Sequence, residues 1–382
     1  MSAVCFAAVL IVAWGYLAAA TLAVWRFSRR RFSLSAAGPA RCRPVSVLKP
    51  LHGAEPGLFE NLRSFADQDY PALQLVLGIR DTGDSALPIA RALIRDRPDR
   101  DIALVVNPRV RGSNHKVANL ENMLPAARHD WIVLADSDMR VARHYLSVVA
   151  EPLADPRTGI VTCLYKGAPT GGLWSRLAAM QINFSFLPGA VVGDAMNVGG
   201  GCFGATIALR RDVLDRIGGF SRLRNELADD HRMGAAAREL GLEIVLSRYV
   251  VENRVTETSL GSLWRHELRW ARTTRLMAPA GFAGSVTTHT VTLTALGAVL
   301  FGSGFAAWGA VVLALLLRWG SAAAMARWLD LPRRDLWLLP LRDALSFAVF
   351  LSSFCGRRVQ WGERLFRIAP DGHMRIEGDK AA

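Results

Sequence analysis

The first third of the chain contains four short apolar runs, which are separated by longer stretches of mixed polar and apolar residues. The runs are Val45–Leu48, Leu75–Ile79, Ala103–Val106 and Trp131–Ala135. Continuous apolar runs of this length are typical of strands buried on both faces, and the stretches between them can form helices. The alternation predicts one α/β domain with a mostly parallel sheet over residues 45–259.

An uncharged segment precedes this domain. Residues 2–25 are long enough to cross the hydrocarbon core of a bilayer, and the basic residues that follow at once are Arg26, Arg29, Arg30 and Arg31. We therefore expect a transmembrane anchor over 1–25 and a basic linker over 26–44, with the basic flank in the cytoplasm. A cleaved signal peptide ending near Ala18–Ala20 is the alternative.

A second apolar block covers residues 282–355. Within it, Phe282–Ala307 and Trp308–Ala326 are each long enough to span a membrane. Hydrophobic residues make up 51% of the 382 residues, which is more than one soluble domain of this length requires. The pattern predicts a multi-pass membrane protein.

The last apolar segment, Leu336–Cys355, contains a charged pair, Arg342 and Asp343. If the preceding segments both cross the membrane and residues 356–382 form a cytoplasmic tail, this segment must be re-entrant or interfacial. Its topology stays open at the level of sequence.

Acidic residues follow two of the predicted strands. Asp81 comes after the second strand, and Asp136 and Asp138 come directly after the fourth. Ligands of parallel sheets bind outside the carboxyl ends of the strands. Two carboxylates one residue apart can contact one divalent cation and leave room for a diphosphate, although an isolated Asp-x-Asp also occurs in ordinary solvated loops. The placement favours a metal-assisted nucleotide-sugar site.

A second acidic site is Asp229-Asp230, which precedes the helix-forming stretch 235–240. Acids in the first turn of a helix complement its dipole, and that is one interpretation of this pair. In the other, a carboxylate beside an acceptor hydroxyl removes its proton while the oxygen attacks a sugar carbon.

Residues 260–281 predict an amphipathic helix at the membrane interface. Its basic face is formed by Arg265, Arg269 and Arg272. Such a face can bind lipid headgroups, or its guanidinium groups can bind a diphosphate. The spacing His266-x-x-Arg269-Trp270 adds an aromatic platform and favours the second function.

The net charge of +13 indicates an anionic partner. No zinc-ligand spacing or RNA-binding motif accompanies it, so anionic lipid and a nucleotide diphosphate are better partners than nucleic acid. The five cysteines are scattered without any Cys-x-x-Cys pair, as in a reduced cytoplasmic domain.

Taken in order, the acidic and Arg-Trp motifs resemble those of inverting, nucleotide-sugar-dependent glycosyltransferases of GT-A fold. The residues are Asp81, Asp136, Asp138, Asp230, Arg269 and Trp270. The first position of the family's Gln/Arg-x-x-Arg-Trp motif is His266 here, which carries only a partial charge at neutral pH. The resemblance implies an α/β fold with a GT-A-like, Rossmann-type nucleotide-sugar domain, an N-terminal transmembrane helix and C-terminal membrane helices.

Two further segments narrow the resemblance. Residues 112–120, Gly-Ser-Asn-His-Lys-Val-Ala-Asn-Leu, are similar to the Gly-x-Asn-x-Lys-x-x-Asn-Leu segment of ceramide glucosyltransferases, and residues 203–214 resemble their strand and helix after the catalytic site. Bacterial members of that family include hopanoid-biosynthesis glycosyltransferases. The segments 45–51, 264–273 and 336–356 are most similar to those.

The resemblance also implies residue roles on the donor side. Asp81 would hold the uracil or ribose side of UDP, while Asp136 and Asp138 would contact ribose and a Mg²⁺ or Mn²⁺ bound to the diphosphate. Lys116 would neutralise phosphate or orient the donor, and His266 would hydrogen-bond phosphate.

On the acceptor side, Asp230 would be the base and Asp229 its supporting acid, and Arg269 with Trp270 would close the site. Partial burial would raise the pKa of such a base. The glycines 199–201 would let backbone approach the donor sugar, unless they form a plain flexible loop.

The function implied is a lipid glycosyltransferase of the bacterial inner membrane with a cytoplasmic catalytic domain. The preferred reaction moves N-acetylglucosamine from UDP-GlcNAc to a bacteriohopanepolyol, and the alternative moves glucose from UDP-glucose to ceramide. A processive polysaccharide synthase and a non-catalytic membrane protein that binds UDP-sugar are further alternatives. Polymer-extruding synthases generally have more membrane helices than this chain offers, and a non-catalytic relative would be expected to lose a metal-site acid or the base.

Overall fold

The computed structural model describes residues 2–30, 43–197, 201–302, 304–356, 358–361, 364–368 and 374–376. Residues 31–42 of the predicted linker and Gly199 and Gly200 of the glycine run lie outside the described residues, as does much of the predicted tail.

The described helices and strands alternate along most of the chain. The helices are α1 (Ser2–Arg29), α2 (Leu58–Ala66), α3 (Ala86–Asp96), α4 (His115–Met123), α5 (Tyr145–Ala150), α6 (Gly172–Gln181), α7 (Leu187–Ala195), α8 (Arg211–Arg216), α9 (Asp229–Glu239), α10 (Leu260–Met277), α11 (Pro279–Gly284), α12 (Thr290–Phe301), α13 (Gly304–Trp328) and α14 (Leu339–Ser353). The strands are β1 (Val45–Pro50), β2 (Leu73–Ile79), β3 (Asp101–Val106), β4 (Trp131–Leu134), β5 (Met139–Arg140), β6 (Thr158–Pro169), β7 (Ile207–Arg210), β8 (Glu243–Val255), β9 (Arg358–Trp361), β10 (Arg364–Ile368) and β11 (Met374–Ile376).

Eight strands form one mixed sheet in the order β3-β2-β1-β4-β7-β6-β8-β5. The four apolar runs predicted as strands are β1 to β4, and these four pair in parallel, with Val47 opposite both Leu75 and Val133. The carboxyl ends of β1, β2 and β4 therefore share one edge of the sheet.

The other half of the sheet differs from the predicted mostly parallel arrangement. Strand β7 is antiparallel to β4 and to β6, and β5 is antiparallel to β8. Strand β8 alternates buried and half-buried positions from Ser247 to Val255. That alternation is typical of an antiparallel strand with one solvated face, whereas the continuous apolar runs of β1 to β4 are typical of parallel strands.

The chain forms two compact units. The sheet unit comprises the described residues within Phe32–Tyr165, Gly200–Arg254 and Asp371–Ala382, and the membrane unit comprises those within Met1–Arg31, Lys166–Gly199 and Val255–Pro370. The predicted catalytic limits, 45–259, thus include residues 166–199 and 255–259 of the membrane unit.

The core of the sheet unit lies on both faces of its sheet. Because successive residues of a strand point to opposite faces, Val45 and Val47 of β1 pack with α2 and α3, whereas Leu48 packs with α4 and Val76 on the other side. This two-sided burial fixes the register of β1 and β4, and with it the position of the residues that follow β4.

Three described helical segments are long and apolar enough to cross a membrane, namely Ala3–Arg29, Gly304–Trp328 and Leu336–Ser353. Helix α1 packs against α7, α12 and α13. Hydroxyl groups join these helices, since Thr21 Oγ1 lies 2.7 Å from Ser321 Oγ and the Trp14 indole donates to Thr294 Oγ1 at 3.2 Å. The three segments indicate association with a membrane.

The predicted span Phe282–Ala307 is wrong as a single straight helix. Residues 279–288 and 290–301 form two helical pieces bent by 75°, which make either a broken span or a re-entrant loop. Ser285 and Thr287 hydrogen-bond to backbone carbonyls three residues earlier, which competes with regular helix bonding before the bend. The next helix begins at Gly304 rather than at Trp308.

Candidate active site

The two aspartates after β4 lie in a tight turn between β4 and β5. Strand β4 is fully buried, and the Ala135 amide still bonds to Leu48 O, so β1 holds the chain up to the residue before Asp136. The Met139 amide returns to Asp136 O at 3.4 Å, which closes the turn. Asn253 Nδ2 of β8 donates to Asp138 Oδ2 at 2.7 Å and fixes that carboxylate.

Lys116 reaches these carboxylates from the first turn of α4. Asn114 caps this helix, because its side chain accepts a hydrogen bond from the Val117 amide at 3.0 Å. The Lys116 ammonium lies 2.6 Å from Asp136 Oδ1 and 3.8 Å from Asp229 Oδ2. The lysine thus joins the turn after β4 to the start of α9.

Other residues of segment 112–120 hold α4 in place. Gly112 has φ +78°, and a Cβ there would lie 2.5 Å from Arg224 O, so both the backbone conformation and the space favour glycine. Asn119 Nδ2 donates to Gly78 O of β2 at 2.9 Å. The segment therefore positions Lys116 through a glycine, a helix cap and a sheet contact.

Asp229 and Asp230 occupy the first turn of α9, as the sequence predicted. Asp230 Oδ2 accepts a hydrogen bond from the Gly204 amide at 3.0 Å, and Oδ1 accepts one from the His231 amide at 2.7 Å. A Cβ on Gly204 would lie 3.4 Å from both Asp230 Oδ2 and Lys116 Nζ, and 3.5 Å from Asp136 Oδ2. Gly204 is therefore the point at which the two acidic sites meet.

Burial and neighbouring charges set the protonation of this cluster. Burial, and then the charge of Asp229, raise the pKa of Asp230 to about 6, and burial also raises the pKa of Asp229. Burial lowers the pKa of Lys116, but Asp136 and Asp229 outweigh it and hold that pKa above its ordinary value. The lysine is therefore charged, and Asp230 can take up a proton close to neutral pH.

Sequence reasoning missed three residues around Asp138, namely Lys49, Glu55 and Asn253. Burial, then Asp136 and Glu55, raise the pKa of Asp138 to about 7. The Lys49 ammonium donates to Asp136 O and lies 3.9 Å from the centre of the Phe65 ring, and burial lowers its pKa to about 7.

Only Lys49 left a signal in the sequence. A lysine directly after the mostly apolar run Val45–Leu48 and before Pro50 indicates a buried charge with a partner. Glu55 accepts a hydrogen bond from Ser137 Oγ at 2.9 Å, but it lies in a loop, and Asn253 is a polar residue of an edge-side strand. Neither position is distinctive without the fold.

The side chains at the turn after β4 fit a divalent cation. Asp138 Oδ1 is buried and has no hydrogen-bond partner among the described residues, and carboxylate oxygens are the ligands that Mg²⁺ and Mn²⁺ prefer. No group of three or more His, Cys, Asp and Glu side chains in the described part of the chain could hold a metal alone. A cation held here thus needs further ligands, such as a diphosphate supplies.

Asp81 is exposed in the turn after β2, at the same edge of the sheet as Asp136. Its Oδ1 accepts a hydrogen bond from the Gly83 amide at 2.9 Å, which orders the turn. Asp81 is thus placed at the carboxyl ends of the parallel strands, as expected for a donor-binding residue.

The His-x-x-Arg-Trp motif lies in the membrane unit, on α10. His266 Nδ1 lies 2.6 Å from Glu257 Oε1, and its ring contacts the Trp270 ring at 4.2 Å between centres. Arg272, expected on a phosphate-facing surface, instead donates to Cys355 O. Of the three arginines on the predicted basic face, this one serves to hold the chain after α14.

The family model described as Glycosyl transferase family 21 matches residues 5–374. Ceramide glucosyltransferase 1 of Caenorhabditis elegans is 22% identical over 236 residues, 62% of this chain and 50% of that protein. Ceramide glucosyltransferase of Komagataella phaffii is 31% identical over 126 residues, 32% of this chain and 24% of that protein. The chain spans about half the length of the curated relatives that it matches over the longer alignments.

Among solved structures, the mannosyltransferase PcManGT from Pyrobaculum calidifontis, in complex with GDP-Man and Mn²⁺, is similar in fold. The TM-score is 0.56 at 17% identity, over 93% of this chain and 99% of that one. This likeness confirms the predicted GT-A-like fold.

Proposed function

We propose that this chain, which belongs to glycosyl transferase family 21, transfers a single sugar from a UDP-sugar to a hydroxyl group of a membrane lipid. The observation that carries the proposal is the cluster around Gly204. There Lys116 pairs with Asp136, while Asp230 lies against the Gly204 backbone with its pKa raised to about 6. One cluster thus combines the Lys116 ammonium group, which can bind a diphosphate, with the Asp230 carboxylate, which can take up a proton.

On the donor side, the carboxyl ends of β2 and β4 receive the nucleotide. We assign Asp81 to the uracil or ribose. We assign Lys116 to phosphate, because Lys116 is charged and partly exposed beside Asp136. When phosphate enters, it competes with Asp136 for the ammonium group. That exchange frees Asp136 Oδ1 at the moment when the diphosphate arrives.

Asp136 and Asp138 are the residues that would hold Mg²⁺ or Mn²⁺, since both supply carboxylate oxygens and Asp138 Oδ1 is buried without a partner among the described residues. A divalent cation there supplies positive charge to the departing UDP. Lys49 and Asn253 keep the turn and the Asp138 carboxylate in place while the ligands change.

On the acceptor side, Asp230 removes the proton of the lipid hydroxyl. The hydroxyl oxygen forms a bond to the anomeric carbon, the bond from that carbon to the UDP oxygen breaks, and UDP takes the electron pair. Displacement in one step inverts the anomeric configuration. Asp229 raises the pKa of Asp230, so the base is stronger than an exposed aspartate.

The motif on α10 completes the proposal. Arg269 provides positive charge and Trp270 an apolar platform, and we assign both to closing the acceptor side of the site. His266 Nδ1 pairs with Glu257, so that nitrogen is not available to phosphate.

For the acceptor, we prefer a bacteriohopanepolyol that receives N-acetylglucosamine from UDP-GlcNAc. Similarity of segments 45–51, 264–273 and 336–356 to hopanoid-biosynthesis enzymes supports this choice. The three long apolar segments agree with an acceptor dissolved in a membrane, and we place the enzyme in the bacterial inner membrane with its catalytic domain in the cytoplasm.

The second candidate is glucose transfer from UDP-glucose to ceramide. The names of the matching curated relatives, ceramide glucosyltransferases of a nematode and a yeast, support it. Both candidates use the same carboxylates and the same chemistry, so only the donor sugar and the acceptor separate them.

The deciding experiment is a product assay on membranes that contain the expressed protein. Each donor, UDP-GlcNAc or UDP-glucose, is combined with Mg²⁺ or Mn²⁺ and either bacteriohopanetetrol or ceramide, and the lipids are analysed by mass spectrometry. An N-acetylhexosamine adduct on the hopanoid supports the preferred reaction, and a hexose on ceramide supports the second. Transfer to neither lipid contradicts both.

A further inference from the structure

A buried ion pair joins the motif helix to α14. Arg342 Nη1 lies 2.8 Å from Glu267 Oε1, and Nη2 lies 2.8 Å from Oε2, so the guanidinium and carboxylate meet through two parallel hydrogen bonds. The Arg342 side chain is fully buried, and that of Glu267 is 7% exposed. Separating a pair this deep would leave an uncompensated buried charge, so the contact is costly to break.

Two further N–H groups of Arg342 also donate hydrogen bonds. Nε donates to Ser346 Oγ at 3.2 Å and Nη1 to Leu177 O of α6 at 3.3 Å. Ser346 Oγ in turn donates to Gln181 Oε1 at 2.8 Å. The network therefore ties α10 and α14 to α6.

Glu267 lies inside the His266-x-x-Arg269-Trp270 motif. At 100° per residue, Glu267 projects about 160° from Arg269, 100° from His266 and 60° from Trp270 around the helix axis, so it occupies its own position beside the motif side chains. Consistent with this, Glu267 is buried while the three motif residues are half-buried. Fixing Glu267 therefore fixes the rotation of α10 about its axis, and with it the direction of the motif side chains.

We propose that the Glu267–Arg342 pair is a positioning device for the Arg269-Trp270 motif, so that Arg342 of α14 acts on acceptor closure through Glu267. This rests on the proposed function only in the role given to Arg269 and Trp270. Arg342 is one of the two charged residues within the last apolar segment, and the pair with Glu267 accommodates its charge.

The neighbouring residue of α14 provides a matched control. Asp343 pairs with Arg318 of α13 through two bonds of 3.0 Å, and the pair is similarly buried, with 8% and 11% of the side chains exposed. It has the same chemistry and the same helix, but it bonds to α13 rather than to the motif helix. Asp343→Asn and Glu267→Gln thus remove equivalent charges with different expected consequences.

The test uses the full chain in lipid nanodiscs and compares wild type, Glu267→Gln, Arg342→Gln, the double variant Glu267→Gln/Arg342→Gln, the conservative Glu267→Asp, and Asp343→Asn. For each, kcat, the KM for the lipid and the Kd for UDP are normalised to folded protein. We expect Glu267→Gln to lower kcat about tenfold or more and to raise the lipid KM, while the Kd for UDP is unchanged. Glu267→Asp recovers part of the loss, and the double variant is no worse than the worse single variant.

Hydrogen exchange of backbone amides provides a readout independent of turnover. Glu267→Gln speeds exchange in α10 more than in α13, and Asp343→Asn does the reverse.

If the wild type transfers sugar to no lipid tested, the proposed function fails, and the exchange pattern still decides whether the pair fixes α10. Equal kinetics and equal α10 exchange in Asp343→Asn and Glu267→Gln overturn the positioning role, as does a Glu267→Gln variant indistinguishable from wild type. If a single variant does not fold, the double variant replaces it, because it leaves no unpaired charge. A lowered kcat with an unchanged Kd for UDP then supports the positioning role, and wild-type kinetics overturn it.

Discussion

The charged groups of the sheet unit and those of the membrane unit are arranged in opposite ways. In the sheet unit, two lysines face a larger number of carboxylates, those of Glu55, Asp136, Asp138, Asp229 and Asp230. In the membrane unit, each buried arginine has one carboxylate and two parallel hydrogen bonds, as in Arg342–Glu267 and Arg318–Asp343. The comparison teaches that buried charges paired one to one serve to hold helices together, whereas an excess of carboxylates leaves negative charge that a cation or a proton can neutralise.

The strongest test of this comparison is Asp230→Asn. Because an amide cannot take up the acceptor proton, we expect transfer to fall by about a thousandfold, within the range that general-base removal usually costs. UDP binding should be nearly unchanged, since Asp230 bonds to backbone amides of Gly204 and His231 rather than to the donor side. The measurements are turnover by mass spectrometry and UDP affinity by calorimetry.

A control for Asp230→Asn is Asp212→Asn. Asp212 is also an acid in the first turn of a helix, α8, but it is exposed and pairs with Arg210. It should lose at most a few tenths of a kcal/mol of stability and no activity. Near-normal turnover in Asp230→Asn would remove Asp230 from its role and leave the helix-dipole interpretation of that acid.

The two units should also respond oppositely to loss of one carboxylate. Asp343→Asn leaves the buried Arg318 unpaired and should lower the free energy of unfolding by about 3–5 kcal/mol. Asp138→Asn removes a carboxylate that burial and the charges of Asp136 and Glu55 destabilise, so without added metal it should raise the free energy of unfolding. Thermal unfolding of the wild type and both variants in one detergent, with a chelator present, measures both changes in stability.

Added metal sharpens this second comparison. Mg²⁺ or Mn²⁺ together with UDP should stabilise the wild type and should stabilise Asp138→Asn much less, because ligand binding to the folded state raises the unfolding temperature. Equal stabilisation of both proteins would contradict a role of Asp138 in holding the cation.

The pH dependence tests the charge balance at the base itself. Asp230 has a pKa raised to about 6, so it is protonated and inactive as a base below that pH, and kcat/KM should rise with pH through about 6. The charged groups that face it are Asp229, which raises the pKa, and Lys116, which lowers it, and the neighbouring His231 has its own pKa lowered by burial.

Asp229→Asn should move this acidic limb to lower pH, because the charge that raises the pKa of Asp230 is gone. Lys116 remains in that variant, so its effect on Asp230 is unopposed by Asp229. A limb that stays at the same pH would show that Asp229 does not tune the base.

The sequence predicted one half of the sheet and the acids that follow it, for a physical reason. Parallel strands buried on both faces leave continuous apolar runs, so β1 to β4 and the position of Asp136 could be located without a structure. Asp230 could be placed at a helix start because helix-forming residues follow it. Asp81 could be assigned to the binding edge of the sheet because ligands bind at the carboxyl ends of such strands.

What could not be predicted depends on contacts distant in the chain. Asn253 meets Asp138 from a strand 115 positions later, and Arg342 meets Glu267 across 75 positions. The bend near His289 follows side-chain bonds to backbone inside an apolar run that hydropathy counts as one segment. In each case the residue type signals a need for a partner, and only the fold says which partner it has.

The smallest expected effect concerns Gly204, where the two acidic sites meet. A methyl group there would contact Asp230 Oδ2 and Lys116 Nζ at 3.4 Å and Asp136 Oδ2 at 3.5 Å, distances that ordinary packing tolerates. Gly204→Ala should therefore fold with nearly wild-type stability, yet it inserts apolar volume among three groups that must exchange partners when the donor binds. We expect kcat/KM for the UDP-sugar to fall by about tenfold, mostly through KM. Gly241→Ala is the control, because Gly241 has a positive φ, so the substitution costs stability, but a Cβ there would contact no other residue. If Gly241→Ala also raised the KM for the UDP-sugar, the effect of Gly204→Ala would be due to folding rather than to the site.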